Sequence, residues 1–353
     1  MLAWNTTLSD HISSGRENVT IRAGIIGAGW VGTARHLPSL QRATGVDLIA
    51  IYDRKIERAQ AHADDGVLAT DDLDAFFDQG LDLVAICTSP WSHAEYTHMA
   101  LGHGAHVFCE KPMTLELAEA EGMVAAAEAA DRILCVSHNF LWSDAMIKAR
   151  RLLDDAGDLR YVSGLQLSSE ERRLPTWYQD LPGGLLFDEI PHMLYILDDI
   201  LGSDLVVEDV RAEWAGRTSE PQSCDVRLRG NLGPAQLTMV FSSPISEWHV
   251  TSVAERNVVD VDLFRDVVIA TGSDGAHLAK DVLGTSARVA GQHLLGFAQA
   301  GLRLARKRQY WGHDRLVQEV VDAIAHGRPS PVPGSNALSV VRSTDAIIAG
   351  LTS

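Results

Sequence analysis

Lys111, Asp188 and His192 are the side chains of this sequence whose types and settings best suit proton transfer at a substrate oxygen. A histidine has the pKa to remove a hydroxyl proton near neutral pH, and a carboxylate four residues away on a helix lies on the same face. An ammonium group can stabilise the negative charge that develops on the oxygen. Together they predict chemistry at an alcohol or carbonyl group, provided that the fold brings them to one place.

Each of these residues also has a plainer interpretation. Lys111 could be a solvated loop lysine, and Asp188 could only cap the helix that we predict to begin there, with His192 at its surface. The pair at i and i+4 could instead bind a metal ion. The position of Lys111 favours a catalytic role, because an apolar run of strand length leads into Lys111 and Pro112 follows it. Ligands bind beyond the carboxyl ends of the strands in open α/β sheets, which is where Lys111 is expected.

A glycine-rich segment near the N-terminus predicts a dinucleotide site. Residues 21–26 form an apolar strand candidate, and the sequence GAGWVG at 27–32 follows directly, before a helical stretch to about residue 41. This is the G-x-G-x-x-G pattern between a strand and a helix, as the motif requires. Gly27 permits a tight turn, Gly29 lets a pyrophosphate approach the backbone, and Gly32 lets helix and strand pack closely. The N-terminus of the helix then offers free N–H groups to the phosphates.

The end of the second predicted strand indicates which dinucleotide is bound. The strand at residues 46–52 leads into Asp53, at the distance from the glycines where a carboxylate accepts hydrogen bonds from the adenosine ribose. A carboxylate there repels a 2′-phosphate, which favours NAD. Arg54 and Lys55 follow at once and could neutralise such a phosphate, so that NADP stays an alternative.

The periodicity of the chain changes after a predicted helix at about 142–154. Strand and helix patterns alternate from residue 20 to residue 140, which predicts a doubly wound parallel sheet, a Rossmann-type domain for the dinucleotide. Period-two patterns follow, for example in residues 225–229, 236–241 and 259–263, and predict an α+β domain with an open, mainly antiparallel sheet. We therefore expect an N-terminal arm at 1–19, the dinucleotide-binding domain at 20–140 and a domain for substrate binding and oligomerisation at 141–353.

Composition limits the class of function. The 353 residues carry a net charge of −17, which argues against a nucleic-acid or membrane surface. There is no apolar run long enough for a membrane span and no pattern of a signal peptide, and the four cysteines form no C-x-x-C. We expect a cytoplasmic protein with buried free thiols. The spacing of His93, His98, His103 and His106 does not place them on one helical face, so that no metal site is predicted.

The chain from about residue 20 to the C-terminus resembles a known family, the glucose–fructose oxidoreductases and inositol dehydrogenases, often written Gfo/Idh/MocA. The resemblance rests on GAGWVG at 27–32, TSPWSHAE at 88–95 and GHGAHVFCEKP at 102–112. It implies that Lys111 reaches the nicotinamide and the reacting substrate oxygen, and that Thr88, Pro90 and His93 line the cofactor. It also implies a homodimer or homotetramer. The cofactor-binding residues expected from the motif and the resemblance together are Gly27, Gly29, Trp30, Val31, Gly32, Asp53, Arg54, Thr88, Pro90, His93, Glu110 and Lys111.

The second chemical segment also follows the family pattern, with two departures. A Gly-Gly pair precedes Asp188 and His192 as the family has it, but Ile190 stands where glycine is common and Tyr195 where an Asp often follows the histidine. The second departure bears on substrate recognition, because that Asp often contributes to the pocket or its support.

The predicted function is hydride transfer between a nicotinamide and a secondary alcohol or ketone of a sugar, sugar derivative or cyclitol. Trp177 and Tyr178 suit the faces of a sugar ring, and Arg172 suits a phosphate or carboxylate, which points to a phosphorylated or nucleotide-linked sugar. Two alternatives stay open on this fold. One is a glycoside hydrolase that retains NAD and acts by transient oxidation, and the other is a regulator that binds dinucleotide without turnover. The basic run from Arg303 to Arg308 is interpreted as a solvated helix end, a subunit contact or a site for an anionic substrate tail.

Overall fold

The computed structural model describes residues 20–169, 171, 174, 176–214, 220–306 and 311–351. The predicted N-terminal arm at 1–19 and the predicted substrate residue Arg172 lie outside the described residues. The fold has two sheets, and it agrees with the predicted class: a Rossmann sheet followed by an α+β unit with a mainly antiparallel sheet.

The first sheet has six strands in the order β3-β2-β1-β4-β5-β6, which is the doubly wound order of dinucleotide-binding domains. Every pairing in it is parallel. All four residues of β4 are buried, because helices cover both faces of the sheet. The strands are β1 (Ile21–Ile26), β2 (Val46–Tyr52), β3 (Leu68–Thr70), β4 (Leu83–Ile86), β5 (His106–Cys109) and β6 (Leu134–Val136).

The helices of this part of the chain alternate with its strands, as the sequence pattern predicts. Asp72 caps α3, since its carboxylate accepts hydrogen bonds from the N–H groups of Asp74 and Ala75. A π-helical turn at Gly32–His36 leads into the first helix. The helices are α1 (Leu37–Arg42), α2 (Ile56–Gln60), α3 (Leu73–Phe77), α4 (His93–Gly102) and α5 (Leu117–Ala129).

The second sheet has seven strands in the order β13-β12-β11-β7-β10-β9-β8, and the β7–β10 pair alone is parallel among its pairings. Its residues alternate between buried and exposed or half-buried along β9, as the period-two pattern predicts. The strands are β7 (Leu159–Ser169), β8 (Val206–Glu213), β9 (Ser223–Gly230), β10 (Gly233–Ser243), β11 (Glu247–Ala254), β12 (Asn257–Asp262) and β13 (Val267–Gly272).

The helix that carries Asp188 and His192 begins earlier than the sequence predicts. The second half contains α6 (Asp144–Asp154), α7 (Leu185–Leu201), α8 (Ala279–Ala305), α9 (His313–His326) and α10 (Gly334–Gly350). Gly184 is the N-cap of α7, so that Asp188 lies inside the helix and does not cap it, and Pro191 is inside the helix as well. The cause is the Gly183-Gly184 pair, whose positive φ angles of 72° and 59° turn the chain directly into the helix.

The C-terminal part of the chain packs against both sheets. Leu316, Val320 and Val332 belong to the same apolar cluster as residues of β1 and β4, whereas Val340 and Ile347 of α10 belong to the cluster under the second sheet. The division at residues 140 and 141 stays a prediction. Helix α10 contributes to apolar clusters of both parts, with Val341 in the cluster under the first sheet and Val340 in the cluster under the second. Among the described residues, each helix is too short or too polar to cross a bilayer. All four cysteines are buried free thiols.

Candidate active site

The glycine loop after β1 leaves open space at one position and none at the other two. A Cβ atom on Gly29 would meet no other heavy atom within 4 Å. A Cβ on Gly32 would lie 2.2 Å from the carbonyl oxygen of Gly27, and Gly27 has a φ of +101°. Gly27 and Gly32 therefore fix the loop against the protein, while the backbone at Gly29 faces a cradle of the kind that a pyrophosphate fills.

The difference between Gly29 and Gly32 predicts that substitutions at the two glycines affect NAD binding and fold stability differently. Gly29→Val is expected to leave the melting temperature within about 2 °C of wild type, since a Cβ atom there meets no heavy atom within 4 Å, but to weaken NAD binding at least about tenfold. Gly32→Ala, the matched control, is expected to destabilise the fold, because its Cβ would overlap the Gly27 carbonyl. Calorimetric titration with NAD and thermal unfolding measure the two effects. Equal loss of stability in both variants would contradict the assignment of the cradle.

Asp53 follows β2 and ties the glycine loop to the next turn. Its Oδ2 accepts a hydrogen bond of 2.9 Å from the N–H of Ala28, and its Oδ1 accepts one of 2.9 Å from the N–H of Lys55. Each carboxylate oxygen has a further lone pair for a ribose hydroxyl. Arg54 is exposed beside it. Trp30, at the entry to the loop, is 46% exposed, and the Arg35 guanidinium lies 5.0 Å from its ring centre.

His93 supports two loops from inside the protein. Its ring is fully buried, with Nδ1 3.0 Å from the carbonyl oxygen of Pro112 and Nε2 3.1 Å from that of Thr88. Burial lowers the pKa of His93, although the carbonyl groups oppose this. The predicted direct contact of His93 with a cofactor stays a prediction. The geometry favours an indirect role, in which His93 fixes the Thr88 loop against the loop that follows Lys111.

Lys111 and Asp188 meet between the two sheets. The Lys111 ammonium donates to Asp188 Oδ1 at 2.9 Å and to the Asp188 carbonyl oxygen at 3.0 Å, and the two side chains are only 15% and 11% exposed. The N-terminal part of α7 thus lies at the carboxyl end of β5. A largely buried ammonium and carboxylate in this place can hold a substrate oxygen in a defined position.

Glu110 holds the backbone of Lys111 in place through a hydrogen bond. Its Oε2 accepts a hydrogen bond of 3.0 Å from the N–H of Lys111, and its Oε1 lies 2.5 Å from Nε2 of the buried His36. Burial alone would raise the pKa of the Glu110 carboxyl, but the hydrogen bond and the charge of His36 lower it below its usual value. Glu110 is predicted to contact the cofactor, whereas its oxygens here hold the turn that carries Lys111.

Tyr195 holds the ring of His192. The sequence suggests that Asp188 orients His192, but Asp188 pairs with Lys111, and Nδ1 of His192 lies 2.9 Å from the Tyr195 hydroxyl. The Tyr195 oxygen accepts a hydrogen bond of 3.3 Å from the N–H of Phe140 and lies 3.4 Å from Asn139 Oδ1. Its ring stacks on His138 with 4.4 Å between centres. The residue that departs from the family pattern is therefore the one that fixes the imidazole.

The surroundings of His192 keep its ring neutral. Burial lowers its pKa well below the ordinary 6.5, and the nearby positive charge of Lys111 lowers it further. The neighbouring His138 has a pKa of about 3 for the same main reason, burial. A neutral imidazole with Nδ1 committed to Tyr195 has Nε2 left as the nitrogen that can accept a proton.

Of the predicted substrate residues, Trp177 and Tyr178 lie in the described part of the chain. The Trp177 ring lies edge-on to Trp91, with 5.8 Å between centres, next to the Thr88 loop. Tyr178 packs against the apolar cluster under the second sheet. Sequence reasoning missed a further polar group beside Asp188: Glu189 is buried and accepts hydrogen bonds of 2.7 Å from Gln166 Nε2 and from Ser168 Oγ. A glutamate in an apolar helix face is the signal that could have identified it.

The histidines that raised the possibility of a metal site serve separate contacts. His103 stacks on Phe77, with 4.4 Å between ring centres, and His106 accepts a hydrogen bond of 2.9 Å from the N–H of Ile133. Within the described ranges no group of three or more His, Cys, Asp or Glu side chains is placed to hold a metal ion.

Comparison with known proteins identifies relatives of this chain. Residues 21–138 match the sequence model of an oxidoreductase family with an NAD-binding Rossmann fold. The uncharacterized oxidoreductase YdgJ of Escherichia coli is 28% identical over 49% of this chain and 51% of its own length. The myo-inositol 2-dehydrogenase of Thermotoga maritima is 27% identical over 63% of this chain and 66% of its own length. The alignments with these relatives thus span between half and two thirds of their length.

Structural similarity extends further along the chain. The crystal structure of GenD2 from gentamicin A biosynthesis, in complex with NAD, has a TM-score of 0.77 and is 19% identical, with 97% of each chain covered. At this identity the similarity concerns the fold, which is shared over both sheets.

Proposed function

We propose, because the chain belongs to the Gfo/Idh/MocA oxidoreductase family, that it is an NAD-dependent dehydrogenase acting on a secondary alcohol or ketone of a sugar, sugar derivative or cyclitol. One observation carries this proposal: the ammonium of Lys111 and the carboxylate of Asp188 meet at the edge of the sheet where the glycine loop opens. A cationic group and an imidazole at the carboxyl ends of the strands suit chemistry at an alcohol oxygen.

The residues of the glycine loop fit a dinucleotide. Gly29 leaves the cradle free, the helix after it presents its N-terminus, and Asp53 has lone pairs for the ribose hydroxyls. NAD supplies the acceptor for a hydride when it is bound. Everything else in the reaction falls to side chains of this chain.

In the direction of alcohol oxidation, His192 takes the proton of the substrate hydroxyl. Its Nδ1–H donates to the Tyr195 oxygen in the tautomer that leaves Nε2 free, and the Tyr195 hydroxyl then faces Asn139. The Lys111 ammonium donates to the substrate oxygen and stabilises its developing negative charge. Asp188 holds that ammonium in place. In the direction of ketone reduction the same groups return the proton.

The proposed substrate class rests on the rim of the site and on the relatives. Trp91 and Trp177 present aromatic surface beside the Thr88 loop, which suits the apolar face of a sugar or cyclitol ring. The relative from Thermotoga maritima is named for myo-inositol. The four buried free thiols support a reducing compartment such as the cytoplasm.

The choice of NAD over NADP gives a second prediction. Asp53→Asn keeps an oxygen for the N–H of Ala28 but removes the charge that repels a 2′-phosphate, while Arg54 remains beside it. The ratio of kcat/KM for NADP to that for NAD is expected to rise by about tenfold or more. Asp47→Asn, an exposed aspartate at the other end of the same strand, is the control and should leave the ratio unchanged. A wild-type protein that prefers NADP would contradict this proposal.

The function itself is tested by gentle purification, mass spectrometry of any bound cofactor, and a screen of polyols, keto-sugars and nucleotide-linked sugars by reduced-nicotinamide absorbance. We expect NAD to remain bound and to become reduced with a cyclitol or sugar. Cleavage of glycosides without net reduction would favour the hydrolase alternative. Tight binding of NAD without turnover of any substrate would favour the regulator.

A further inference from the structure

The long helix α8 is held to the protein by its small and polar side chains. The Gln292 side-chain amide forms two hydrogen bonds of 3.0 Å with Ala270 on the edge strand β13. Its Oε1 accepts from the Ala270 N–H, and its Nε2 donates to the Ala270 carbonyl oxygen. Gly296 lies directly on Val267, Ala300 is buried, and Arg303 forms ion pairs with Asp266 and Asp144. The helix therefore covers the free edge of the sheet without using its large apolar residues.

Those large residues face away from the protein. Leu283 is 72% exposed, Leu294 68%, Phe297 63% and Leu304 60%. An ordinary surface helix has the opposite arrangement, with its apolar stripe turned to the core. A contiguous apolar face of this kind on an exposed helix marks a contact with another surface.

The spacing of the outward residues is that of a helix partner. Positions 283, 287, 290, 294, 297, 301 and 304 follow one another at intervals of four and three and are all exposed. They are Leu, Ala, Ala, Leu, Phe, Gly and Leu. An alternation of four and three is the seam of a coiled coil, and the small residues in it let two helix backbones approach closely. A membrane surface requires no such seam.

Charge indicates what the partner is and how it is oriented. The described segment 279–306 contains four basic residues, at 280, 288, 303 and 306, and one acidic residue, Asp281, in a chain whose net charge is −17. A parallel pair of these helices would place two basic C-terminal ends side by side, whereas an antiparallel pair separates them by the helix length of about 40 Å. The antiparallel pair also brings each basic end next to the other helix's N-terminus, near Asp274 and Asp281.

We propose that α8 is a self-association surface, on which the same helix of a second copy of this chain packs antiparallel. The seam is nearly symmetric about Leu294, so that this residue meets its own copy at the two-fold axis. Leu283 then faces Leu304 of the other copy, Ala290 faces Phe297, and Ala287 faces Gly301. Phe297, the largest side chain of the seam, thus lies opposite an alanine, and the leucines lie opposite leucines.

The first test measures the mass of the full-length protein in solution by sedimentation velocity. We expect an assembly of wild-type protein, and we expect Leu294→Glu to reduce its mass by a factor of two, with at least a hundredfold weaker association. Val206→Glu is the matched control, since Val206 is 59% exposed on a different edge of the second sheet. Unchanged NAD binding shows that both variants fold. A monomeric wild type, or an unchanged mass for Leu294→Glu, would overturn the proposal.

Cysteine cross-linking tests the orientation and the occupant, since the native cysteines are buried. Leu294→Cys should cross-link to itself, and a mixture of Leu283→Cys with Leu304→Cys should give a mixed dimer that neither variant forms alone. Self-linking of Leu283→Cys would overturn the antiparallel arrangement. Binding to vesicles of phosphatidylcholine and phosphatidylserine tests whether α8 binds a membrane instead. A protein that is monomeric in buffer and binds these vesicles through Leu294 would also overturn the proposal.

Discussion

Lys111→Ala is expected to reduce kcat for the oxidation of an alcohol substrate by about a thousandfold while NAD still binds. The reason is that the ammonium is the cation placed to stabilise charge on the substrate oxygen, at the meeting point of β5 and α7. The glycine loop and Asp53, which hold the dinucleotide in this proposal, are on other strands and keep their contacts. Stopped-flow absorbance of the reduced nicotinamide measures the effect, and calorimetric titration measures the affinity for NAD.

A matched control for Lys111→Ala is Lys148→Ala, because Lys148 is an exposed lysine of α6. It should retain the wild-type kcat. The variant Lys111→Ala also leaves the buried carboxylate of Asp188 without its ammonium partner, so that thermal unfolding is measured in parallel. A Lys111→Ala protein that is folded, binds NAD and turns over at the wild-type rate would refute the role of this residue.

His192→Asn is expected to lower kcat for alcohol oxidation by about a hundredfold to ten-thousandfold, the usual contribution of a general base. The pKa of His192 also predicts how the oxidation rate depends on pH. Its pKa is lowered by burial and by Lys111, so the folded protein keeps the ring neutral, and ready to accept a proton, below the ordinary value of 6.5. The oxidation rate of wild type should therefore not fall as the pH drops through 6.5, and an acidic limb should begin only at lower pH.

The pH profile of kcat/KM measures this limb directly. Replacing His62, an exposed histidine outside the site, with asparagine should change neither rate nor profile. Tyr195→Phe removes the hydroxyl that holds Nδ1, and a smaller loss than in His192→Asn is expected, with KM little changed. A wild-type limb centred near 6.5, or a His192→Asn variant with the wild-type rate, would show that another group accepts the proton.

The sequence was sufficient to predict most of the framework, because the framework is governed by local patterns. Strand β4 and residues 107–109 of β5 are uninterrupted buried apolar runs, and the glycine loop has a spacing that few other structures require. The residue at which a helix begins was harder to predict. The helix start at Leu185 depends on the backbone angles of two glycines, which a sequence pattern does not distinguish from a turn followed by a cap at Asp188.

The partners within the site were not predictable from spacing. An i, i+4 relation placed Asp188 and His192 on one face, but Lys111 arrives from a strand 77 residues earlier and takes the carboxylate. Tyr195 then holds the histidine through a hydroxyl that no short motif indicates. The buried pair of His36 and Glu110 joins residues 74 positions apart. Contacts of this range depend on the packing of the two sheets rather than on local propensity.

The transfer of a hydride from substrate to cofactor is the most direct test of the proposed reaction. Wild-type protein with NAD is mixed with a substrate that carries deuterium on its carbinol carbon, and the nicotinamide is analysed by mass spectrometry. We predict one deuterium in the reduced nicotinamide of wild type, and oxidised, still bound NAD in the double variant Lys111→Ala and His192→Ala. Label transfer at the wild-type rate in that double variant, or product from wild type without label in the nicotinamide, would contradict the proposed chemistry.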